Sequence, residues 1–445
     1  MSILRISAFG YIWLLLLVVS LFKPKHTLWM VFISFVFQAA WVVIIAGIDL
    51  NAALITSVFY ITKTIVRKRG KVTIPSWGKK GLLFVGVLLI CSVINPLLFS
   101  GMELPLMTNE GYNFNRVDVM QVSFSFSNLT IGLSVLLYLL DAIMIYNDDC
   151  VDNWTGFEEI YRQIFAIVSI IGLLHVILAS FGMQYNVLRE LFHNEYQIGG
   201  ATYFDYPLIG RNFYRLMSTF YEPSYCGAYL ATSLMFFWFS ENNKKRNICL
   251  LINAVELVLC MASTGFVTLA GAIILLLLRD FGKQKKIVRR KRVIMILCAV
   301  IIGIYIIWSN KELSRIIYEF TLGKVNSGSA DLRNIQNHNS LEAFKKTYGL
   351  GTGGNTTISY SLIYSLLSQT GILGFALYFA FMASIIRKAY LTSDGKSAIQ
   401  IICLIICPLI SQIVSIQAFN FCVMWMGICG VGLRLSLSRR NKEGN

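Results

Sequence analysis

Gly81-Leu-Leu-Phe-Val-Gly-Val-Leu-Leu-Ile-Cys-Ser-Val-Ile-Asn-Pro-Leu-Leu-Phe99 carries no charged side chain. A helix of this length, rising about 1.5 Å per residue, nearly spans a hydrocarbon core of about 30 Å. The block is one of a series. Comparable apolar blocks lie at about 7–22, 28–47, 50–66, 128–146, 164–182, 223–240, 248–262, 265–278, 293–308, 357–386, 397–414 and 417–434. Together they predict an all-α, polytopic transmembrane helical bundle of about 11–13 spanning helices, a single integral membrane domain over 1–445. The spread in number comes from the first two blocks and from the stretch between Arg246 and Arg279, which is long for one helix and short for two. Both its flanks are basic, so the expectation there is a hairpin turning near Ser263-Thr264-Gly265. With 56% of the 445 residues hydrophobic and only 14% charged, an ordinary soluble enzyme is excluded, and so is a disordered chain.

Lys and Arg number 39 against 23 Asp and Glu, a net charge of +16. The placement of that charge decides its meaning. Arg67-Lys68-Arg69 to Lys79-Lys80, Lys244-Lys245-Arg246, Lys283 to Arg292, Arg387-Lys388 and Arg439-Arg440 each adjoin an apolar block. This is the pattern of short cytoplasmic loops that fix helix orientation, and it argues against nucleic acid as a partner. Most of the ten cysteines lie inside apolar blocks and read as small buried hydrophobes. Lys23-Pro24-Lys25-His26 follows the first apolar block where a small-residue cleavage site would be needed, so no cleavable signal peptide is expected.

The same rule places residues 100–127, 183–222 and 309–356 on the opposite side from the basic loops, with 183–222 and 309–356 as two large extracytoplasmic loops. Loops of that length are functional or disordered, and the apolar content of both favours order. Within 309–356, Leu341-Glu342-Ala343-Phe344 has the pattern of an amphipathic helix. The acidic turn Asn147 to Glu159 reads as a solvated connection. Asp141, His175 and Glu256 fall inside apolar blocks, where ionisable groups are functional candidates unless satisfied within the bundle. Asp141 lies near the cytoplasmic end of its helix, and His175 and Glu256 are candidates to pair.

Three motifs stand out in the outer segments. The first is Arg211-Asn-Phe-Tyr-Arg215-Leu-Met-Ser-Thr-Phe-Tyr-Glu222-Pro223, which brings two arginines and a carboxylate to the start of a helix whose first residue is proline. The second is Asp331-Leu-Arg333, followed by Leu350-Gly-Thr-Gly353-Gly354. The third is Leu367-Ser-Gln-Thr-Gly371-Ile-Leu-Gly374.

In this order the motifs resemble those of the O-antigen and capsular polysaccharide polymerases, the Wzy-type family, and of the related O-antigen ligases. The family's Phe-x-Glu-Pro element corresponds to Phe220, Glu222 and Pro223, its loop arginine to Arg333, its Gly-x-Gly turn to Gly351 and Gly353, and its Gly-Ile-Leu-Gly helix to Gly371, Ile372, Leu373 and Gly374. The resemblance covers roughly 205–380 by motif and the whole chain by hydropathy. Ligases carry a His-Asn pair just before the Gly-Ile-Leu-Gly helix. This chain has Tyr360-Ser361 there, and His338 lies upstream of the glycine turn. That departure favours a polymerase.

The resemblance implies a multi-pass glycosyltransferase of the bacterial cytoplasmic (inner) membrane. It moves a glycan from a polyprenyl-diphosphate carrier to a sugar hydroxyl of another lipid-linked oligosaccharide, with membrane lipid around it and a chain-length regulator protein as a further partner. No cofactor is expected, because the donor is already activated. The departing diphosphate needs cationic stabilisation, which arginine forks supply as well as a metal does. The outer loops show no carboxylate cluster, so Arg211, Arg215 and Arg333 are the expected diphosphate-binding residues, with Gly351 and Gly353, and no metal. Glu222 is the first candidate for the base that takes the acceptor proton, and Asp331, His338 and Tyr360 are additional candidates. Glu222 at a helix start is equally able to serve only the helix dipole or to orient Arg215. A polysaccharide or lipid transporter is the rival from another class, and an O-antigen ligase the rival within the same one.

Overall fold

A computed structural model describes residues 4–45, 48–105, 119–151, 153–183, 187–193, 205–208, 211–281, 328–392, 395–416 and 418–443, with isolated positions 311, 315 and 318. In chain order the elements are β1 (Leu4–Ile6), α1 (Ala8–Ser20), α2 (Pro24–Ser34), β2 (Trp41–Ile45), β3 (Ile48–Asn51), α3 (Ala52–Arg67), α4 (Ser76–Leu98), β4 (Glu103–Pro105), β5 (Val119–Gln121), α5 (Ser127–Tyr146), α6 (Trp154–Ser180), α7 (Val187–Phe192), β6 (Asp205–Leu208), β7 (Arg211–Tyr214), α8 (Pro223–Phe239), α9 (Lys244–Cys260), α10 (Ser263–Phe281), α11 (Gly328–Lys346), α12 (Leu362–Thr392), α13 (Gly395–Val414) and α14 (Cys422–Glu443). The protein is a mostly helical membrane protein. Among the described residues five helices are long and apolar enough to cross a membrane: Ser76–Leu98, Ser127–Tyr146, Trp154–Ser180, Leu362–Leu391 and Ser397–Val414. The expected helix at 293–308, most of the loop between 309 and 327 and the whole basic run Lys283 to Arg292 lie outside the described residues.

The basic runs at Arg67-Lys68 and Arg439-Arg440 meet at one end of the bundle. There Arg67 pairs with Asp148 at 2.8 Å, Lys68 pairs with Asp149 at 2.5 Å, and Arg440 donates to the Val151 carbonyl at 2.5 Å. Gln400, near the start of α13, donates to Ser240 at the end of α8 and to Glu158 near the start of α6. The motif-bearing segments lie at the opposite helix ends, with Gly354 against Ser92 and Asn128 and Arg215 against Met261.

Several expectations are corrected. The block 28–47 does not form one helix: α2 ends at Ser34, and Trp41-Val-Val-Ile-Ile45 forms the middle strand of a three-stranded antiparallel sheet, β1-β2-β3. Its β-branched run favours the pleated surface, and Ser7 Oγ donates to the Trp41 carbonyl at 2.7 Å. Two further two-stranded ribbons, β4-β5 and β6-β7, add to the departure from a purely helical chain. The hairpin between α9 and α10 turns at Met261, whose left-handed φ of 48° caps α9, just before the expected position. The acidic turn after α5 is not solvated throughout. Asp148 is 1% exposed and accepts from Tyr60 and Arg67, so it locks α3 to α5, and α6 begins ten residues earlier than its apolar block implies. His175 packs its ring beside His193 at 6.0 Å, while Glu256 accepts from Ser169, so the His175–Glu256 pairing is not formed.

The most consequential local feature is in α12. At Gly371 the backbone leaves the helix with φ 67° and ψ −168°, a conformation essentially restricted to glycine. The polypeptide of 349–353 lies directly against this break. Thr352 N donates to Ser368 O at 2.7 Å, Gly353 N to Gln369 O at 2.9 Å, and Ile372 N to Gly349 O at 3.0 Å. A Cβ on Gly351 would stand 2.7 Å from Gly371 N, and one on Gly371 would overlap the Gly349 carbonyl. Gly371→Ala should therefore cost on the order of 1–3 kcal/mol from backbone strain alone, before overlap is added. Gly86→Ala, in an open helical position of α4, should be neutral or slightly stabilising. Thermal unfolding of the two purified variants checks the contrast, and equal melting temperatures would refute the packing account.

Candidate functional site

The segment after β7 folds back over the α9–α10 hairpin. Arg215 donates through Nε to the Cys260 carbonyl at 3.3 Å and through Nη2 to the Met261 carbonyl at 3.1 Å. These are carbonyls at the C-terminal end of α9, where unpaired acceptors and the helix dipole both favour a cation. Leu216 N adds a backbone bond to Leu259 O at 3.0 Å, so the arginine is fixed from both main chain and side chain. Neither Cys260 nor Met261 was identifiable from sequence, because the hairpin end lies some 45 residues further along the chain.

Glu222 is the residue before α8, in extended conformation with φ −144° and ψ 158°, and its side chain does not cap the helix. It is half-buried. The cations acting on its carboxylate are Arg333 and Arg215, and they draw its pKa down, yet burial outweighs them and the net position is above the ordinary carboxylate value. The structure thus brings together three residues singled out in the sequence, from segments more than a hundred positions apart.

Arg333 reaches this point from α11, a helix of 19 residues in which the short amphipathic stretch forms only the later part. Its guanidinium carbon lies 5.2 Å from the centre of the Tyr360 ring, a cation–π distance, and its Nε is buried with no hydrogen-bond partner among the described residues. Asn337, one turn further along α11, accepts from Tyr360 N at 3.0 Å, and Ser340 donates to Ile358 O at 3.3 Å. Tyr360 is thereby tied to the helix whose arginine it faces. Aromatic rings adjoin Glu222 in the chain: Tyr221 and Tyr225 lie 6.0 Å apart, and Tyr225 meets Phe421 edge-on at 5.4 Å. Phe421 was not anticipated, since nothing in its apolar segment marks it.

The remaining candidates separate from this group. Asp331 is exposed, and His338 is exposed and contacts Glu342 at 3.3 Å. Gly351 and Gly353 are buried in packing, Gly351 against Gln369 and Gly371 and Gly353 against Pro96 and the Cys91 carbonyl. Arg211 begins β7, and its side chain lies outside the described part of the structure. Among the described residues no group of three His, Cys, Asp or Glu is placed to hold a metal ion.

The raised pKa of Glu222 has a signed consequence. An acid whose pKa rises on folding stabilises the fold fully below its unfolded value of about 4.5, and that stability is lost as pH climbs through the folded value. The melting temperature of the protein should fall relative to Glu222→Gln as pH rises past about 4.5, and Arg333→Gln should deepen that fall and extend it to higher pH from the same onset. Parallel profiles for wild type and Glu222→Gln would show that burial does not dominate. The chain matches no protein-family model and no curated protein.

Proposed function

We propose that the protein is a polymerase of lipid-linked oligosaccharide repeat units in the bacterial cytoplasmic membrane. The observation that supports this reading is that Arg215 and Arg333, from two separate segments, both act electrostatically on the carboxylate of Glu222. In the proposed reaction an acceptor hydroxyl attacks the anomeric carbon of the donor glycan. The new bond joins acceptor oxygen to that carbon, the bond to the polyprenyl diphosphate breaks, and the acceptor proton passes to Glu222. A carboxylate raised above its ordinary pKa is the better base near neutral pH. Arg215 and Arg333 hold the departing diphosphate, and their planar forks match its oxygens in a way lysine does not. Tyr225 and Tyr360 offer flat faces for sugar rings. The reading includes no cofactor and no metal, a surrounding of membrane lipid, and a chain-length regulator as protein partner.

Deleting the gene and resolving the surface glycan on a gel tests the class. Loss of the ladder with one capped repeat unit remaining supports polymerase, complete loss from the lipid anchor indicates ligase, and an unchanged ladder refutes both. With purified protein and lipid-linked repeat units, chain extension should continue in excess EDTA and should fall at least about tenfold in Arg215→Lys and in Arg333→Lys. Activity abolished by EDTA and restored by Mg²⁺ would transfer the diphosphate role from the arginines to a metal.

A further inference from the structure

Glu256 lies on the buried face of α9 with Cys249, Asn253 and Cys260. Its Oε2 accepts from Ser169 Oγ of α6 at 2.9 Å, and its Oε1 has no hydrogen-bond partner among the described residues. No lysine, arginine or histidine among them pairs with it. Cys226 and Tyr229 of α8 are within electrostatic reach on a third side, and neither brings a positive charge. One turn back along the same face, Asn253 is fully buried, and neither Oδ1 nor Nδ2 has a hydrogen-bond partner among the described residues.

An isolated ionised carboxylate in such a place is prohibitively costly, so it must take up a proton or a counter-cation. A proton alone leaves the Asn253 amide unbonded, because the two side chains do not hydrogen-bond each other. A cation between Glu256 Oε1 and Asn253 Oδ1 engages both, which residues three apart on one helix face can do. The Glu256, Asn253 and Ser169 side chains all offer oxygen, which suits a hard cation, and a single carboxylate balances a single positive charge. We propose that Glu256, Asn253 and Ser169 form a binding site for a monovalent alkali cation between α6, α8 and α9. The inference is independent of the glycan-polymerase reading. It also has a structural consequence: four residues further along α9, Cys260 donates its thiol to Pro223 O at 2.9 Å and its carbonyl holds Arg215. Occupancy would brace the helix end on which the arginine rests.

The test uses the purified full chain in detergent, titrated with NaCl against N-methyl-glucamine chloride at constant ionic strength, with KCl and LiCl as parallel arms. Saturating Na⁺ should raise the melting temperature by about 2–4 °C. Radiolabelled sodium should bind about one per chain, and both signals should vanish in Glu256→Gln and weaken in Asn253→Ala. Because Gln removes the buried charge while keeping the shape, the variant remains foldable and its cation dependence remains readable. An absence of any alkali-cation effect in wild type, or an effect undiminished in Glu256→Gln, overturns the proposal and leaves a neutral acid at this position.

Discussion

The interrupted helix α12 is possible only because another segment supplies the hydrogen bonds its break would otherwise lose. Irregular backbone at membrane depth is tolerated where protein surrounds it, since lipid offers neither donors nor acceptors. Here the supplier is the glycine-rich stretch 349–353, which uses its own amides and one carbonyl to complete the bonds around Gly371. Glycine is needed on both sides of the contact, because the two main chains touch with no room for a Cβ. The same stretch is gripped by α4 through Asn95 and Ser92 and by α5 through Asn128. Arg333 belongs to the helix immediately before this stretch and Tyr360 to the segment immediately after it. The position of the site therefore follows from how one loop satisfies one broken helix.

What the sequence revealed of this fold divides along physical lines. Blocks such as 81–99, 128–146 and 397–414 were legible because length and apolarity alone set a membrane helix. The block 28–47 was misread, because an apolar run of β-branched and aromatic residues has no periodicity that separates a buried strand from a buried helix. The early start of α6 was hidden by Glu158 and Glu159, which lower hydropathy although Glu158 is almost fully buried against Gln400. The extended helix α11 was hidden by its polarity: its residues before Leu341 are largely hydrophilic, and it is ordered by contacts with distant segments.

The site shows the same division. Glu222, Arg215 and Arg333 were nameable from short motifs, whereas the carbonyls that hold Arg215 belong to a helix end that no local pattern connects to it. An arginine bound to backbone carbonyls keeps its charge but loses freedom, so its remaining donors are directed in advance. Arg333 is oriented differently, by an aromatic face and by the helix that carries it. Two cations fixed by unrelated means and acting on one carboxylate form a preorganised arrangement, which loses little on reorganisation when an anion arrives.

That arrangement carries its own switch in the proposed reaction. Before a substrate enters, Glu222 is the anion that the two arginines see, and they hold its pKa below where burial alone would leave it. A diphosphate competes for the same guanidinium donors with greater charge and more acceptor oxygens. As the diphosphate neutralises their charge in place, Glu222 loses part of the interaction that favours its ionised form, while its burial is unchanged. Its basicity rises at the moment an acceptor hydroxyl must be deprotonated, so donor binding itself prepares the base.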